Sequence, residues 1–141
     1  MYEYHGWITV RPTYENTDEV DETEERLWEN INGILESKIK SISWMPGLTD
    51  LRYINGNCYI TLAGYTNHRG PDSKEINSLY KFIAEIAPGS YGVLYEQDDE
   101  DIEGFNNKFK VKVLKRGKFI NAEDTFLSPC VPEIEDEYNH S

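Results

Sequence analysis

The sequence predicts an α+β fold in which an antiparallel sheet carries both helices on one face. Two segments repeat apolar residues at helical spacing, the others alternate with a period of two, and an Asn-Gly pair joins two of the alternating segments. The predicted order is β-α-β-β-α-β with a C-terminal strand or hairpin extension. This order favours a ferredoxin-like core, because right-handed crossovers put both helices on the same side of the sheet.

The first strand is predicted from a short alternating pattern near the start of the chain. Residues 4–11 alternate, which places His5 and Trp7 on one face and Gly6 on the other. Gly6 is expected to let a helix approach the strand, since it has no side chain. Trp7 either packs under a loop or forms, with aromatic residues of neighbouring strands such as Tyr91, a platform for a partner.

Both helices are predicted to begin at a capping box, in which an acidic N-cap is followed three residues later by glutamate. Asp21 and Glu24 fit this pattern before the first helix, and Asp72 and Glu75 fit it before the second. The apolar residues at helical spacing are Leu27, Trp28, Ile31, Ile34, Leu35 and Ile42 in the first, and Ile76, Leu79, Tyr80, Ile83, Ile86 and Ala87 in the second.

The remaining strands follow from turn residues and alternation. Asn55-Gly56 predicts a two-residue hairpin, because both turn positions need positive φ. Lys108, Lys110 and Lys112 alternate with apolar residues, which predicts a half-exposed strand whose lysines protect a sheet edge. The predicted strands after the first helix span residues 50–54, 57–65, 90–96, 108–115 and 118–122.

Length and composition predict one domain over residues 1–128, followed by a loose acidic tail over residues 129–141. A chain of 141 residues can bury a core without metal or disulfide staples. Cys58 and Cys130 are expected to be a buried residue and a loop thiol, with a disulfide as the alternative. The chain has neither a basic and apolar leader nor a long apolar run, and a cytoplasmic protein is expected.

The charge of the chain is strongly acidic, with 26 acidic against 14 basic residues and a formal net charge of −12. This charge opposes binding to nucleic-acid phosphates and to anionic membranes, and it favours a basic protein partner. Most of the acids lie in residues 15–25, residues 96–103 and the tail. These segments are either solvated loops and a helix cap, or an electrostatic face.

Catalytic and metal-binding patterns are absent from the sequence. His5, His68 and His140 are far apart and do not pair with the cysteines at metal-ligand spacing. The glycines form neither a phosphate-binding loop nor a nucleophile elbow. Neither catalysis nor a cofactor or metal is therefore expected.

Four stretches of the chain resemble the immunity protein 7 family of bacterial polymorphic toxin systems: MYEYHGWITV, LWENI, YITLAGYTNHR and YGVLYEQDDED. The resemblance extends from Tyr2 to about Phe119, and His5, Gly6 and Trp7 are its most telling residues. It implies a small cytoplasmic protein that binds and neutralises a cognate toxin domain. Many such toxins are nucleases, whose basic clefts suit an acidic inhibitor.

A binding hypothesis combines this resemblance with the charge. The toxin would be inhibited by steric occlusion, with acidic residues steering its approach and Tyr95 or Trp7 anchoring the complex. The alternative is a ferredoxin-like regulatory or adaptor module without a toxin partner. In either case a monomer or a weak homodimer is expected. The proposed steering residues are Asp98, Asp99, Glu100, Asp101 and Glu103.

Overall fold

A computed structural model describes residues 1–13 and 22–130, and of residues 22–27 the backbone alone. Its elements are β1 (Tyr2–Val10), α1 (Glu22–Ser41), β2 (Leu48–Ile54), β3 (Asn57–Thr66), α2 (Pro71–Ile86), β4 (Tyr91–Asp98), β5 (Lys110–Lys115) and β6 (Lys118–Glu123). The six strands form one antiparallel sheet in the order β2-β3-β1-β4-β5-β6. The α+β prediction is confirmed, and the sheet has two strands more than a four-stranded core.

The predicted hairpin is present between β2 and β3. Ile54 pairs with Asn57, and the two residues between them have φ values of 51° at Asn55 and 78° at Gly56. Positive φ at both positions matches the right-handed twist of the flanking strands, and Asn-Gly adopts it at little cost. The turn residues therefore fix the register that turns Cys58 into the core.

The hydrophobic core lies between the helices and one face of the sheet. Tyr4 and Ile8 of β1 are buried in a single cluster with Leu35 of α1 and Tyr80 of α2. Full burial of each large apolar side chain contributes roughly 1.5–3 kcal/mol. Because both helices belong to this cluster, the opposite face of the sheet is left without a helix from the described part of the chain.

Gly6 lies where α2 approaches the sheet. The Tyr80 hydroxyl crosses above it and donates a hydrogen bond to the Val93 carbonyl oxygen at 2.7 Å. A Cβ atom at position 6 would collide with this hydroxyl. The prediction that Gly6 allows a helix to approach β1 is therefore confirmed.

The capping box predicted for the second helix is wrong. The helix begins at Pro71, its N-cap is Gly70, and no side chain caps it. Proline at the first helical position supplies a preset φ and needs no hydrogen-bond partner for its nitrogen. Asp72 lies inside the first turn and is buried. Asp21, predicted to cap the first helix, lies outside the described residues.

The prediction that the lysine-rich strand forms a sheet edge is also wrong. β5 pairs with β6 on its outer side, so β5 is not a sheet edge. Lys112 is paired with Leu94, which is fully buried, so Lys110 and Lys112 point to the helix side of the sheet. Lys108 precedes the strand and is exposed. The predicted alternation is present, but Lys110 and Lys112 lie on the inner face, where Lys112 forms an ion pair with the buried Glu96 carboxylate.

Candidate functional site

The face of the sheet opposite the helices carries a row of aromatic side chains. Trp7 is 46% exposed and meets Tyr91 edge to face, with ring centroids 6.1 Å apart. His5 contacts Phe109, and Phe109 contacts Tyr95 at a centroid distance of 5.8 Å. The structure therefore places both predicted anchors, Trp7 and Tyr95, on one accessible face. Gly6 lies on the opposite face, so the His5-Gly6-Trp7 motif is not a triad of side chains.

The loop after β4, residues 99–109, is here called the acidic loop, and Asp101 organises it. Its Oδ2 atom accepts hydrogen bonds from the backbone N–H groups of Glu103 and Phe105, both at 2.9 Å. These hydrogen bonds, above all the one from Phe105, hold the pKa of the Asp101 carboxyl below its ordinary value. Lys110 lies 3.6 Å from Oδ1 of Asp101 and stacks over the Phe105 ring. Asp101 therefore shapes the loop from within.

Two other acids of this loop have nitrogen-bearing partners at the surface. Asp99 pairs with the amino group of Met1, and Glu100 accepts a hydrogen bond from His68. That hydrogen bond is the largest influence that lowers the pKa of Glu100. Both carboxylates remain about half exposed. Each therefore still presents negative charge to solvent, although its field is partly compensated.

The two remaining acids at this end differ in their local roles. Asp98 ends β4, and its Oδ1 atom accepts the backbone N–H of Glu100 at 3.1 Å. Glu103 is exposed, and its carboxylate has no hydrogen bond or ion pair with any described residue. Glu103 is therefore the acid of the loop whose charge is least compensated.

Glu96 belongs to the same acidic run in the sequence, but its side chain is only 6% exposed. Its carboxylate accepts hydrogen bonds from Tyr2, Ser73 and Asn77, and it forms an ion pair with Lys112 at 3.2 Å. Burial raises the pKa of Glu96, but these hydrogen bonds and the lysine outweigh it and leave the pKa below its ordinary value. Glu96 therefore joins three strands and α2, and it is not part of a surface charge.

A cleft of about 400 Å³ opens beside Glu96 on the helix side of the sheet. Among the described residues that line it, acidic and basic side chains are equal in number, so they offer no net charge to a ligand. Most of its carboxylates already have partners inside the protein. The six charged residues are Arg69, Lys110, Lys112, Glu96, Asp98 and Asp101.

Metal and thiol chemistry find little support among the described residues. No group of three or more His, Cys, Asp or Glu side chains there is arranged to hold a metal ion. Cys58 and Cys130 are free thiols, so the alternative of a disulfide between them is not realised. Burial, followed by the nearby Glu36 carboxylate, raises the pKa of the Cys58 thiol to about 11. None of the described helices is both long and apolar enough to cross a membrane.

The sequence did not single out the apolar side chains at the tips of two turns. Ile102, inside the acidic loop, is 95% exposed, and Phe126, after β6, is 88% exposed. A lone isoleucine within an acidic run was the only available signal for the first. Phe126 had no such signal, since its turn depends on contacts made by the folded chain.

Comparison with known proteins adds a family assignment. The family model described as Immunity protein 7 matches residues 1–136. Neither the curated proteins nor the solved structures provide a match. The match covers the helix-covered core, the aromatic face and the acidic loop together. The chain belongs to the immunity protein 7 family.

Proposed function

We propose that this protein binds a cognate bacterial toxin domain and neutralises it by covering its active cleft. The observation that carries the proposal is the family match over residues 1–136, since immunity proteins act against toxins. The net charge of −12 supports a basic partner, such as a nuclease domain with a cleft for anionic substrate. Binding at such a cleft excludes substrate sterically and needs no catalytic group on the inhibitor.

The acidic loop is the proposed steering element. Asp99, Glu100 and Glu103 hold their carboxylates at the surface, and Asp98 and Asp101 fix the backbone that carries them. Charge on a defined loop raises the rate of encounter with a basic surface, and that rate falls as salt increases. The five acids thus divide into three that meet the partner's field and two that position the loop.

The aromatic face is the proposed source of a long-lived complex. Tyr95 lies in β4 three residues before Asp98, which is roughly 10 Å along the strand. Trp7 is nearly half exposed on the neighbouring strand. Large, partly exposed aromatic side chains are the residues that most often dominate protein interfaces. A toxin attracted by the loop would therefore reach these anchors without a large reorientation.

The proposal also includes the core topology, the cellular compartment and the oligomeric state. The first four strands and the two helices would form a ferredoxin-like core, with β5 and β6 as its extension. The protein would act in the cytoplasm as a monomer or weak homodimer, without catalytic activity of its own.

The direct test is to co-express the chain with the toxin domain encoded beside its gene. We expect growth to be rescued, and we expect the purified chain to bind an inactivated form of that domain at a ratio of one to one. A toxin domain from an unrelated system is the control. If the neighbouring toxin remains lethal and does not bind, the regulatory or adaptor alternative is favoured instead.

A further inference from the structure

Four exposed apolar side chains lie at one end of the sheet, where β4 and β6 end and β5 begins. Ile102 and Phe126 are almost fully exposed there, and Phe105 and Leu127 are partly exposed. These four residues are here named the sheet-end surface. Single exposed apolar residues are common, but a group of four on neighbouring turns is typical of an interaction site.

The two turns that carry this surface are held by the same device. Asp101 accepts the backbone N–H groups of Glu103 and Phe105. Asp124 accepts those of Phe126 and Leu127 at 3.0 and 3.1 Å. Hydrogen bonds from the following backbone N–H groups to an aspartate carboxylate fix a turn locally. The apolar side chains are therefore displayed on defined turns.

The two turns are also joined to each other. The Ser128 hydroxyl, which donates to Asp124 at 2.6 Å, accepts the backbone N–H of Phe109 at 2.9 Å. The backbone N–H of Cys130 donates to the Asn107 carbonyl oxygen at 3.0 Å. A cleft of about 560 Å³ lies between them, with Phe105, Phe109 and Pro129 in its walls. The two turns thus border one cleft, which Phe105 lines directly while Ile102, Phe126 and Leu127 lie on the turns beside it.

The charge around the cleft specifies the chemistry of its occupant. Glu123 and Asp124 line the cleft and Glu103 lies on the adjoining turn, whereas Lys108 is the one basic residue of the lining within the described part of the chain. The walls supply apolar contacts and the rim is mainly negative. A protein segment with an apolar side chain flanked by lysine or arginine matches both properties.

We infer that the sheet-end surface, with its cleft, receives an apolar side chain that projects from a basic surface of the toxin domain. This inference rests on the proposed function and deepens it, because it adds an apolar anchor beside the steering acids. Steering sets the association rate, whereas buried apolar contacts set the lifetime of a complex. Ile102 and Phe126 should therefore act on dissociation.

The test is the double variant Ile102→Ser/Phe126→Ser, measured against the immobilised, inactivated toxin domain encoded beside the gene. We expect dissociation to be at least about tenfold faster, with little change in the association rate. The matched control is Ile54→Ser/Trp44→Ser, which removes one isoleucine and one aromatic ring exposed elsewhere. The control should change dissociation by less than about twofold. Thermal unfolding should confirm that both variants fold.

The possible failures can be told apart. If the wild-type chain binds the toxin domain and the double variant dissociates like the control, the sheet-end surface is not an anchor and the proposed function stands. If the wild-type chain does not bind, the proposed function fails and this inference fails with it. If the double variant abolishes self-association in sedimentation but leaves toxin binding unchanged, the surface receives a second copy of the chain and the inference is overturned.

Discussion

Glu96 and Glu103 lie seven residues apart in one acidic run, yet the first is buried and paired and the second is exposed and unpaired among the described residues. Glu96 is enclosed by three hydrogen-bond donors and the ammonium group of Lys112. Glu103 is exposed, and its carboxylate has no partner in the described part of the chain. The difference shows that a run of acids is not one electrostatic feature. Glu96, at one end of the run, stabilises the fold, and Glu103, at the other end, is accessible to a partner.

This difference arises because the side chains of a strand alternate between the two faces of the sheet. Glu96 is in β4 on the same face as Leu94, which α2 covers, and its position beside Lys110 and Lys112 of β5 is set by the strand register. Beyond Asp98 the strand ends, and the chain turns into solvent. A carboxylate at residue 96 therefore needs an internal cation, whereas one at residue 103 does not.

The largest expected effect comes from removing the cation that pairs with Glu96. In Lys112→Met the buried carboxylate loses its ion pair, and breaking a buried pair in this way typically costs about 3 kcal/mol or more. We expect the free energy of unfolding, measured by urea denaturation, to fall by about 3 kcal/mol. Lys115→Met, which removes an exposed lysine of the same strand, is the control and should cost less than about 0.5 kcal/mol. Equal stability of the two variants would contradict the role given to Glu96.

The second effect is a pH dependence specific to Glu96. Its pKa is lowered in the folded chain from an ordinary value of 4.5, so the ionised form stabilises the fold above that value. This contribution is lost as the pH falls through the folded-state pKa. In Glu96→Gln we expect a loss of about 2 kcal/mol at pH 7, which shrinks as the pH is lowered below about 4. Denaturation of both proteins between pH 2.5 and 7 measures this, and parallel curves would refute it.

A smaller effect is expected at the boundary between the two ends of the acidic run. Asp101→Ala removes the acceptor for two backbone N–H groups and should reduce the free energy of unfolding by about 1 kcal/mol. Glu103→Ala, in the same loop, should change it by less than about 0.5 kcal/mol. Amide hydrogen exchange at Phe105 should become faster only in the first variant. Unchanged exchange there would mean that Asp101 does not position the loop.

Much of the fold could be predicted because it depends on local patterns. The alternation of β1 gave the faces of Gly6 and Trp7 correctly, and Asn55-Gly56 gave the hairpin. The inward direction of Lys112 could not be predicted, because it depends on a carboxylate from another strand and on the extra strand β6. The predicted start of α2 is wrong because Asp72 resembles a cap in sequence, whereas Pro71 begins the helix.

The candidate site was predictable in part for the same reason. Exposure of Trp7 follows from strand alternation, whereas the internal role of Asp101 depends on how one loop folds back on its own backbone. The Asp101 and Asp124 turns are joined by hydrogen bonds from Phe109 to Ser128, 19 residues apart, and from Cys130 to Asn107. No local pattern carries that information, so the sheet-end surface emerges only from the folded chain.

The central claim is that the exposed acids of the loop steer a basic toxin domain. The most direct measurement is the association rate of Asp99→Lys/Glu100→Lys/Glu103→Lys with the inactivated toxin domain, as a function of salt. We predict a rate at least about tenfold lower at low salt, and a weaker salt dependence than in the wild-type chain. The control reverses three exposed acids of the helices, Glu29, Glu36 and Glu85, and gives the same net charge. An unchanged rate and salt dependence in the loop variant, or an equal loss in the control, would contradict the claim.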